Sequence, residues 1–535
     1  MKPICLVAGC CLLLALLTID AAGNFPRLPE GPGLTIDESF NVEVGTFLVR
    51  AEAQYGLAAL SPASQTEIFG QSLNDHPPLG RVALGLSNVL VTAVLRPDGG
   101  DATLGTAAAA RPAAAVAFAL TVLLTGWCVR RWSGDAAGFW AALALATTPR
   151  AFGHAHIASL ETFVGLTYAV ATFAVADLWA NRPTGKSAAV CGVLWGLCLL
   201  TKIQAVLWPV PVGVWALACF RKDAVGPLAI TAASGLAVFF VGWPYLWIDP
   251  IEHVAEYFGR AGDRITLHVF FAGERYADRG VPVLYAPVMF VLTQPLVWLI
   301  GGMLGAVAAV RGPVAETRSR DEDAAVSRRR WRLLLAAAVF PVLFFAAPNF
   351  ATYDGVRLFL VAYPIWACVC GVGMAQLTER LRVRVRNFDR FRPREVAAGV
   401  AFGLLIVQSP VWLSHYNLLI GGTRGAAALG MEPTYWGDSL TRSVWDTIPQ
   451  DSRVAIAPTL HQFQVPYLAS QTPAIARRRL TLEAWTPETT ADVVLVFRRR
   501  ADLPPSLAGA FERDPGAVRT WDGVPLTAVI PADDP

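Results

Sequence analysis

From residue 112 to residue 413 the sequence returns repeatedly to runs of mostly apolar residues separated by short polar breaks. A helix needs about 20 such residues to cross the hydrocarbon of a bilayer, and within lipid an open chain satisfies its backbone N–H and C=O groups only as a helix. The repetition therefore restricts the chain to a bundle of membrane-crossing helices. Composition agrees: of 535 residues, 54% are hydrophobic and 16% charged, and mean hydropathy is +0.45, too few charges to cover a soluble protein of this size.

The spans read as roughly 4 to 20, 112 to 129, 135 to 150, 160 to 180, 188 to 200, 204 to 220, 226 to 247, 284 to 310, 333 to 347, 356 to 378 and 396 to 413, about eleven in all. Lys2 followed by the apolar Ile4 to Ile19 fits a signal sequence with a weak site at Asp20-Ala21-Ala22-Gly23, and equally a retained anchor, which is the reading adopted. Gly80 to Leu95 is also apolar. Counting it as a crossing, however, would put Arg130-Arg131 and every later basic cluster on the outer side, against the positive-inside rule. Read as an interfacial or re-entrant helix, it leaves Arg130-Arg131, Arg182 with Lys186, Arg221-Lys222, and the arginines of 311 to 332 and 380 to 394 all inside. The N-terminus is then inside and the C-terminus outside. The runs 188 to 200 and 204 to 220 are each short for a crossing, yet together too long for one helix. Two short helices meeting around Thr201-Lys202 in a protein-lined cavity are expected.

The expected fold is thus a polytopic α-helical membrane protein in four parts. These are an anchor (1–22), an outer loop with interfacial or re-entrant helices (23–111), a transmembrane core (112–413) and a small outer α/β domain (414–535), in which Val454 to Ala457 and Val493 to Phe497 are β-like. The cysteines lie mostly in apolar runs and show neither a disulfide framework nor metal-ligand spacing. No nucleic-acid motif is present; Arg328-Arg329-Arg330 and the arginines of 380 to 394 are basic inner loops in contact with membrane lipid.

Several ionisable residues fall on the outer side. Asp37-Glu38 opens an amphipathic segment, where acidic residues also serve as ordinary helix caps. His76 ends the same loop, in Asn74-Asp75-His76-Pro77-Pro78-Leu79. Glu161 enters an apolar helix shortly after His154 and His156. Lys202 interrupts another apolar run, and Arg357 follows Tyr353-Asp354-Gly355. Ionisable groups at membrane depth mark function, although Lys202 and Arg357 also suit snorkelling anchors. Cations gathered with carboxylates on one membrane face suit a phosphate-bearing lipid attacked by a neutral nucleophile. No ligand cluster demands a cofactor; a divalent metal among His154, His156, Glu161, Tyr353 and Asp354 stays open.

The order of Asp-Glu in the first outer loop, His-Pro-Pro-Leu at its end, an acidic residue after the third span and Leu-Thr-Lys between short helices resembles the GT-C glycosyltransferases. Within them it looks like the family 39 branch, which includes protein O-mannosyltransferases and the lipid A aminoarabinose transferase. Tyr353 to Arg357 with Tyr363-Pro364, Tyr416-Asn417, Gly421-Gly422 and Thr434-Tyr435-Trp436 resemble bacterial members, and the likeness covers most of residues 30 to 440. The resemblance implies a sugar transferase of the cytoplasmic membrane that uses a polyprenyl-phosphate sugar donor, with an acceptor it does not identify. It implies Asp37 as catalytic base in an inverting single displacement and Glu38 as its support. Glu161 stands where the family usually has Asp, His76 where some relatives have a lysine near the donor phosphate, and Lys202 and Arg357 as phosphate contacts. The alternative is a transporter or flippase of lipid-linked saccharides, which commonly carries paired internal repeats; no second copy of the 30 to 200 arrangement is visible.

Overall fold

The computed structural model describes residues 1–20, 22–95, 106–262, 265–311, 324–434, 436–512 and 516–532. Ala21 of the expected cleavage site, Arg318 and Arg320 of the inner loop, and Tyr435 lie outside them.

Among the described residues, four helical stretches have the length and apolarity of a crossing: Pro78–Leu95, Ala107–Ala146, Glu161–Leu178 and Ile203–Gly242. Two of these double back. Ala107–Ala146 breaks at Ser133 and at Gly134, whose φ of 86° suits a residue without a β-carbon. Gly126 and Gly138 then face each other, and a β-carbon on Gly138 would stand 2.6 Å from the Gly126 carbonyl oxygen. The stretch is therefore a hairpin whose two arms match the expected spans 112 to 129 and 135 to 150. Ile203–Gly242 turns at Arg221, φ 53°, between the helices Pro209–Phe220 and Val225–Gly242.

Helix Gly185–Leu199 ends just before Thr201, and Lys202 is extended, with φ −163° and ψ 155°. A 3-10 turn, Ile203–Leu207, leads into Pro209–Phe220, and Trp195 Nε1 ties the corner by donating to the Ala205 carbonyl at 3.0 Å. The expected two short helices thus meet around Thr201-Lys202.

Two of the spans need correction. Residues 284 to 310 are not one continuous helix: Tyr285–Leu292 and Leu296–Arg311 meet at 114°. Pro295 has no N–H and disfavours a helical conformation at Gln294. The carbonyls released by the break, Val291 and Gln294, accept from Asn417 Nδ2 at 2.7 and 2.9 Å. The span 356 to 378 begins later than its hydropathy suggests. Asp354 and Gly355 take φ of 54° and 63°, Arg357–Phe359 forms a 3-10 turn, and the helix is Ala362–Arg384.

Helix Pro78–Leu95 contacts three elements of the bundle. Leu79 N–H donates to the Leu200 carbonyl, and Gly80 packs on Leu160, just before Glu161–Leu178. Farther along, Asn88 Oδ1 accepts from Thr106 N–H at 3.0 Å, beside the start of Ala107–Ala146. Ala107 N–H in turn donates to Gln471 of the C-terminal region. The helix packs with Leu84 against Ala110, Ala114 and Ala117 of Ala107–Ala146. Helix Ile36–Tyr55 lies along it through Asn41 to Arg81 and Asn88 to Thr46.

A hairpin that the sequence reading left unassigned is formed by β1 (His268–Phe271) with β2 (Glu274–Ala277). The C-terminal sheet comprises β3 (Arg453–Ala457), β4 (Thr481–Ala484), β5 (Val493–Phe497), β6 (Gly516–Trp521) and β7 (Val524–Pro531), in the order β4-β3-β5-β7-β6. β3 pairs parallel with β4 and β5, while β5–β7 and β7–β6 are antiparallel. The two β-like runs read from the sequence are its central neighbours, buried on both faces as parallel strands usually are.

Candidate active site

The site is built around the start of helix Ile36–Tyr55. Thr35 caps it, and the Glu38 carboxylate reaches back to accept from Thr35 N–H at 2.9 Å, the reciprocal arrangement of a capping box. Glu38 is fully buried. It also accepts from Arg111 Nε and Nη2 at 2.7 and 2.9 Å and from Ala158 N–H at 2.8 Å. Expected as the support of Asp37, it pairs outside the charge cluster and anchors the helix start to the loop that leads to Glu161.

Asp37, one residue earlier and so roughly 100° around the helix, faces the other way. Its carboxylate pairs with Arg357 Nη2. Arg357 Nε donates to Glu161 Oε1 at 2.7 Å, and Nη1 to Asp354 Oδ2 at 3.0 Å. Lys202 Nζ pairs with the same Glu161 oxygen. One guanidinium thus serves three carboxylates with its planar fork, which a lysine cannot do. It lies 4.2 Å over the Trp436 ring and 5.8 Å from Tyr353. The other Asp354 oxygen accepts from Arg499 Nη1 at 2.9 Å, which joins the C-terminal sheet to the cluster. Glu161, Lys202, Asp354 and Arg357 are buried, whereas the Asp37 side chain keeps 30% of its surface. Asp37 is therefore the member that a second molecule can reach. Burial raises its pKa while Arg357 pulls the other way.

The structure brings together Asp37, Glu161, Lys202, Tyr353, Asp354 and Arg357, with His154 near them through a 5.5 Å contact with Trp436. It does not bring in His156, whose Nε2 meets Thr18 Oγ1 and whose Nδ1 meets the Phe152 carbonyl, both at 2.9 Å, while the ring stacks on Trp412. Two residues apart, the histidines face different neighbours, so the grouping of His154, His156 and Glu161 around a metal is corrected. Among the described residues no three His, Cys, Asp or Glu side chains converge as cation ligands. His76 sits 4.0 Å from Asp75, and burial lowers its pKa while the Asp75 charge opposes the shift. Burial lowers His154 and His156 likewise.

Arg111 and Arg499 belong to this architecture and were not picked out from the sequence; Trp436 carried a resemblance but no role. A signal existed for Arg111, a lone arginine among the alanines of 107 to 115. Arg499 follows β5 in a run of three arginines, which by itself reads as an ordinary solvated turn.

This is the architecture of a polytopic membrane protein, with a charge cluster at the domain-bearing end of the bundle. Among solved structures, the chain is similar to ArnT from Cupriavidus metallidurans in the apo state, with TM-score 0.53 and 13% identity over 98% of this chain and 97% of that one. The same protein bound to undecaprenyl phosphate gives TM-score 0.53 and 14% identity over the same shares. At that identity the likeness is one of fold. No protein-family model matches the chain, and no curated protein matches it by sequence.

Proposed function

We propose that the protein is a membrane glycosyltransferase. It moves a sugar from a polyprenyl-phosphate-linked donor to an acceptor hydroxyl at the outer face of the cytoplasmic membrane, with helices Ile36–Tyr55 and Pro78–Leu95 lying in that interface. The observation that carries this reading is the convergence of Arg357 and Lys202 on Glu161 beside Asp37, the carboxylate of the cluster that keeps part of its surface. The shared fold with a protein crystallised with undecaprenyl phosphate supports the donor class.

In the resting cluster both cations are already neutralised by carboxylates. A donor phosphate that approaches Arg357 competes with Asp37 for the guanidinium, so seating the donor frees the base. Asp37 then takes the proton of the acceptor hydroxyl as its oxygen bonds to the anomeric carbon from the face opposite the phosphate. The bond from that carbon to the phosphate oxygen breaks, and polyprenyl phosphate leaves with the electron pair. Arg357 and Lys202 stabilise the charge that develops on it. The configuration at the anomeric carbon inverts.

The test is to incubate the purified protein in nanodiscs, together with membrane extract, with radiolabelled undecaprenyl-phosphate sugars. The distribution of label among lipid, glycan and protein is then followed. Label leaving the donor with wild type and not with Asp37→Asn supports the reading; equal transfer by both overturns the assignment of Asp37.

A further inference from the structure

In the charge cluster three carboxylates of the bundle end face two cations. Asp37, Glu161 and Asp354 meet Arg357 and Lys202, so these five side chains carry a surplus negative charge when the acids are ionised. Such a surplus works against a site that receives a phosphate. The third positive charge comes from the C-terminal sheet. Arg499, two residues after β5 and buried, donates from Nη1 to Asp354 Oδ1 at 2.9 Å, while Arg357 Nη1 donates to Oδ2 at 3.0 Å. Asp354 is shared between two guanidiniums, one oxygen to each.

Both ends of this bridge are fixed. Asp354 takes a φ of 54°, the Gly355 N–H beside it donates to the Tyr285 hydroxyl at 3.0 Å, and Arg357 N–H donates to the Asp354 carbonyl at 3.2 Å. Arg499 Nε donates to Asp502 Oδ2 at 2.5 Å, and His268 of β1 stands 3.7 Å from Asp502. The Glu432 carboxylate accepts from Arg500 and Ala501 N–H at 2.6 and 3.0 Å, and Arg275 of β2 donates to the Ala501 carbonyl. Residues 499 to 502 are therefore tied down by contacts other than Asp354. Nor does docking the sheet call for charge, because well-packed apolar residues hold such a contact as well as a buried ion pair and often better. A charge placed here acts on the cluster.

We infer that Arg499 is a positioning residue of the transfer reaction: by holding one oxygen of Asp354, it leaves Arg357 free to divide its fork between Asp37 and the donor phosphate. The inference rests on the transferase reading above. Without Arg499, both Asp354 oxygens turn to Arg357, in the bidentate geometry that a carboxylate and a guanidinium favour. Arg357 is then drawn from the phosphate, and the surplus negative charge returns. The anionic donor binds more weakly. Asp37, which faces Arg357, Glu161, Lys202 and Asp354, also holds its proton to higher pH, because a nearby negative charge favours the neutral acid. Arg499 itself faces Asp354, Asp502 and Glu432, while the Arg500 guanidinium lies over Phe270 of the hairpin.

The test uses the full-length protein in nanodiscs. Binding of undecaprenyl phosphate is measured directly, and transfer from radiolabelled undecaprenyl-phosphate sugars is followed against pH with membrane extract as the source of acceptor. Arg499→Gln is expected to weaken undecaprenyl phosphate about fivefold or more and to move the acid limb of kcat/KM up by about one pH unit. Arg499→Lys, which keeps the charge, is expected to return the limb to its wild-type position. Adding Arg499→Gln to Asp354→Asn is expected to change binding by no more than about twofold. That double variant buries no lone carboxylate, so it decides the question if Arg499→Gln alone does not fold. A clamp that only holds the sheet would lower the melting temperature and leave the limb in place. An unmoved limb, or a fivefold further loss in the double variant relative to Asp354→Asn, overturns the inference and leaves the transferase reading standing. If wild type neither binds undecaprenyl phosphate nor transfers label, the transferase reading itself fails, and the inference with it.

Discussion

Arg111 holds both carboxylate oxygens of Glu38, at 2.7 and 2.9 Å, in a pair that no solvent reaches. The neighbouring Asp37 carboxylate instead meets Arg357 at a partly open position. Two adjacent acids therefore do different work. Removing one partner of a buried pair leaves an uncompensated charge and costs about 3–5 kcal/mol. Glu38→Gln and Arg111→Met are thus expected to lower the melting temperature clearly in detergent, with activity lost along with the folded fraction. Asp37→Asn is expected to melt like wild type while turnover falls by about 10² to 10⁴. A Glu38→Gln protein with wild-type stability would contradict the anchoring role.

The pH profile of Asp37 follows from its surroundings. A general base works as the carboxylate, so the rate falls as pH drops through its pKa. Burial raises that pKa and Arg357 opposes the rise. The acid limb of kcat/KM is expected above the ordinary aspartate value of about 3.9. In Arg357→Gln the opposing pull is gone, so the limb moves to still higher pH. A limb at or below the ordinary value in wild type, or one that moves down in the variant, would count against Asp37 as the base.

Arg357 is the residue for which a conservative change is expected to fail. Its Nε and two Nη groups each face a different carboxylate, and an ammonium is a point charge that cannot reproduce that fork. Hydrogen bonds to charged groups contribute about 1.5–3 kcal/mol, which corresponds to roughly 10- to 100-fold. Arg357→Lys is expected to raise the donor KM by about that factor in the transfer assay. Wild-type donor KM in the lysine protein would show that Arg357 binds no phosphate.

What the sequence made legible here were the charges that interrupt apolar runs. Asp37, Glu161, Lys202 and Arg357 stand out because burying a charge is costly, and assigning the basic loops to one side puts all four on the other. The part played by each was not legible. Asp37 and Glu38 separate only once helix phase and the position of Arg111 are known. Asp354 and Arg499 are 145 residues apart and touch only because the C-terminal sheet sits on the bundle. The bend between Leu292 and Leu296 was masked because hydropathy averages across a break, although Pro295 was there to be read.

That same bend supplies a last expectation. Asn417 Nδ2 donates to the Val291 and Gln294 carbonyls, and Asn417 N–H donates to the Leu292 carbonyl. One residue from after the final span thereby satisfies the backbone that Pro295 leaves open. Asn417→Leu keeps the backbone bond and removes the side-chain amide that serves both carbonyls; stranding the buried Gln294 carbonyl alone costs about 1–3 kcal/mol. The protein is expected to melt at a clearly lower temperature in detergent. A leucine variant that melts like wild type would mean that the bend is held by Pro295 alone.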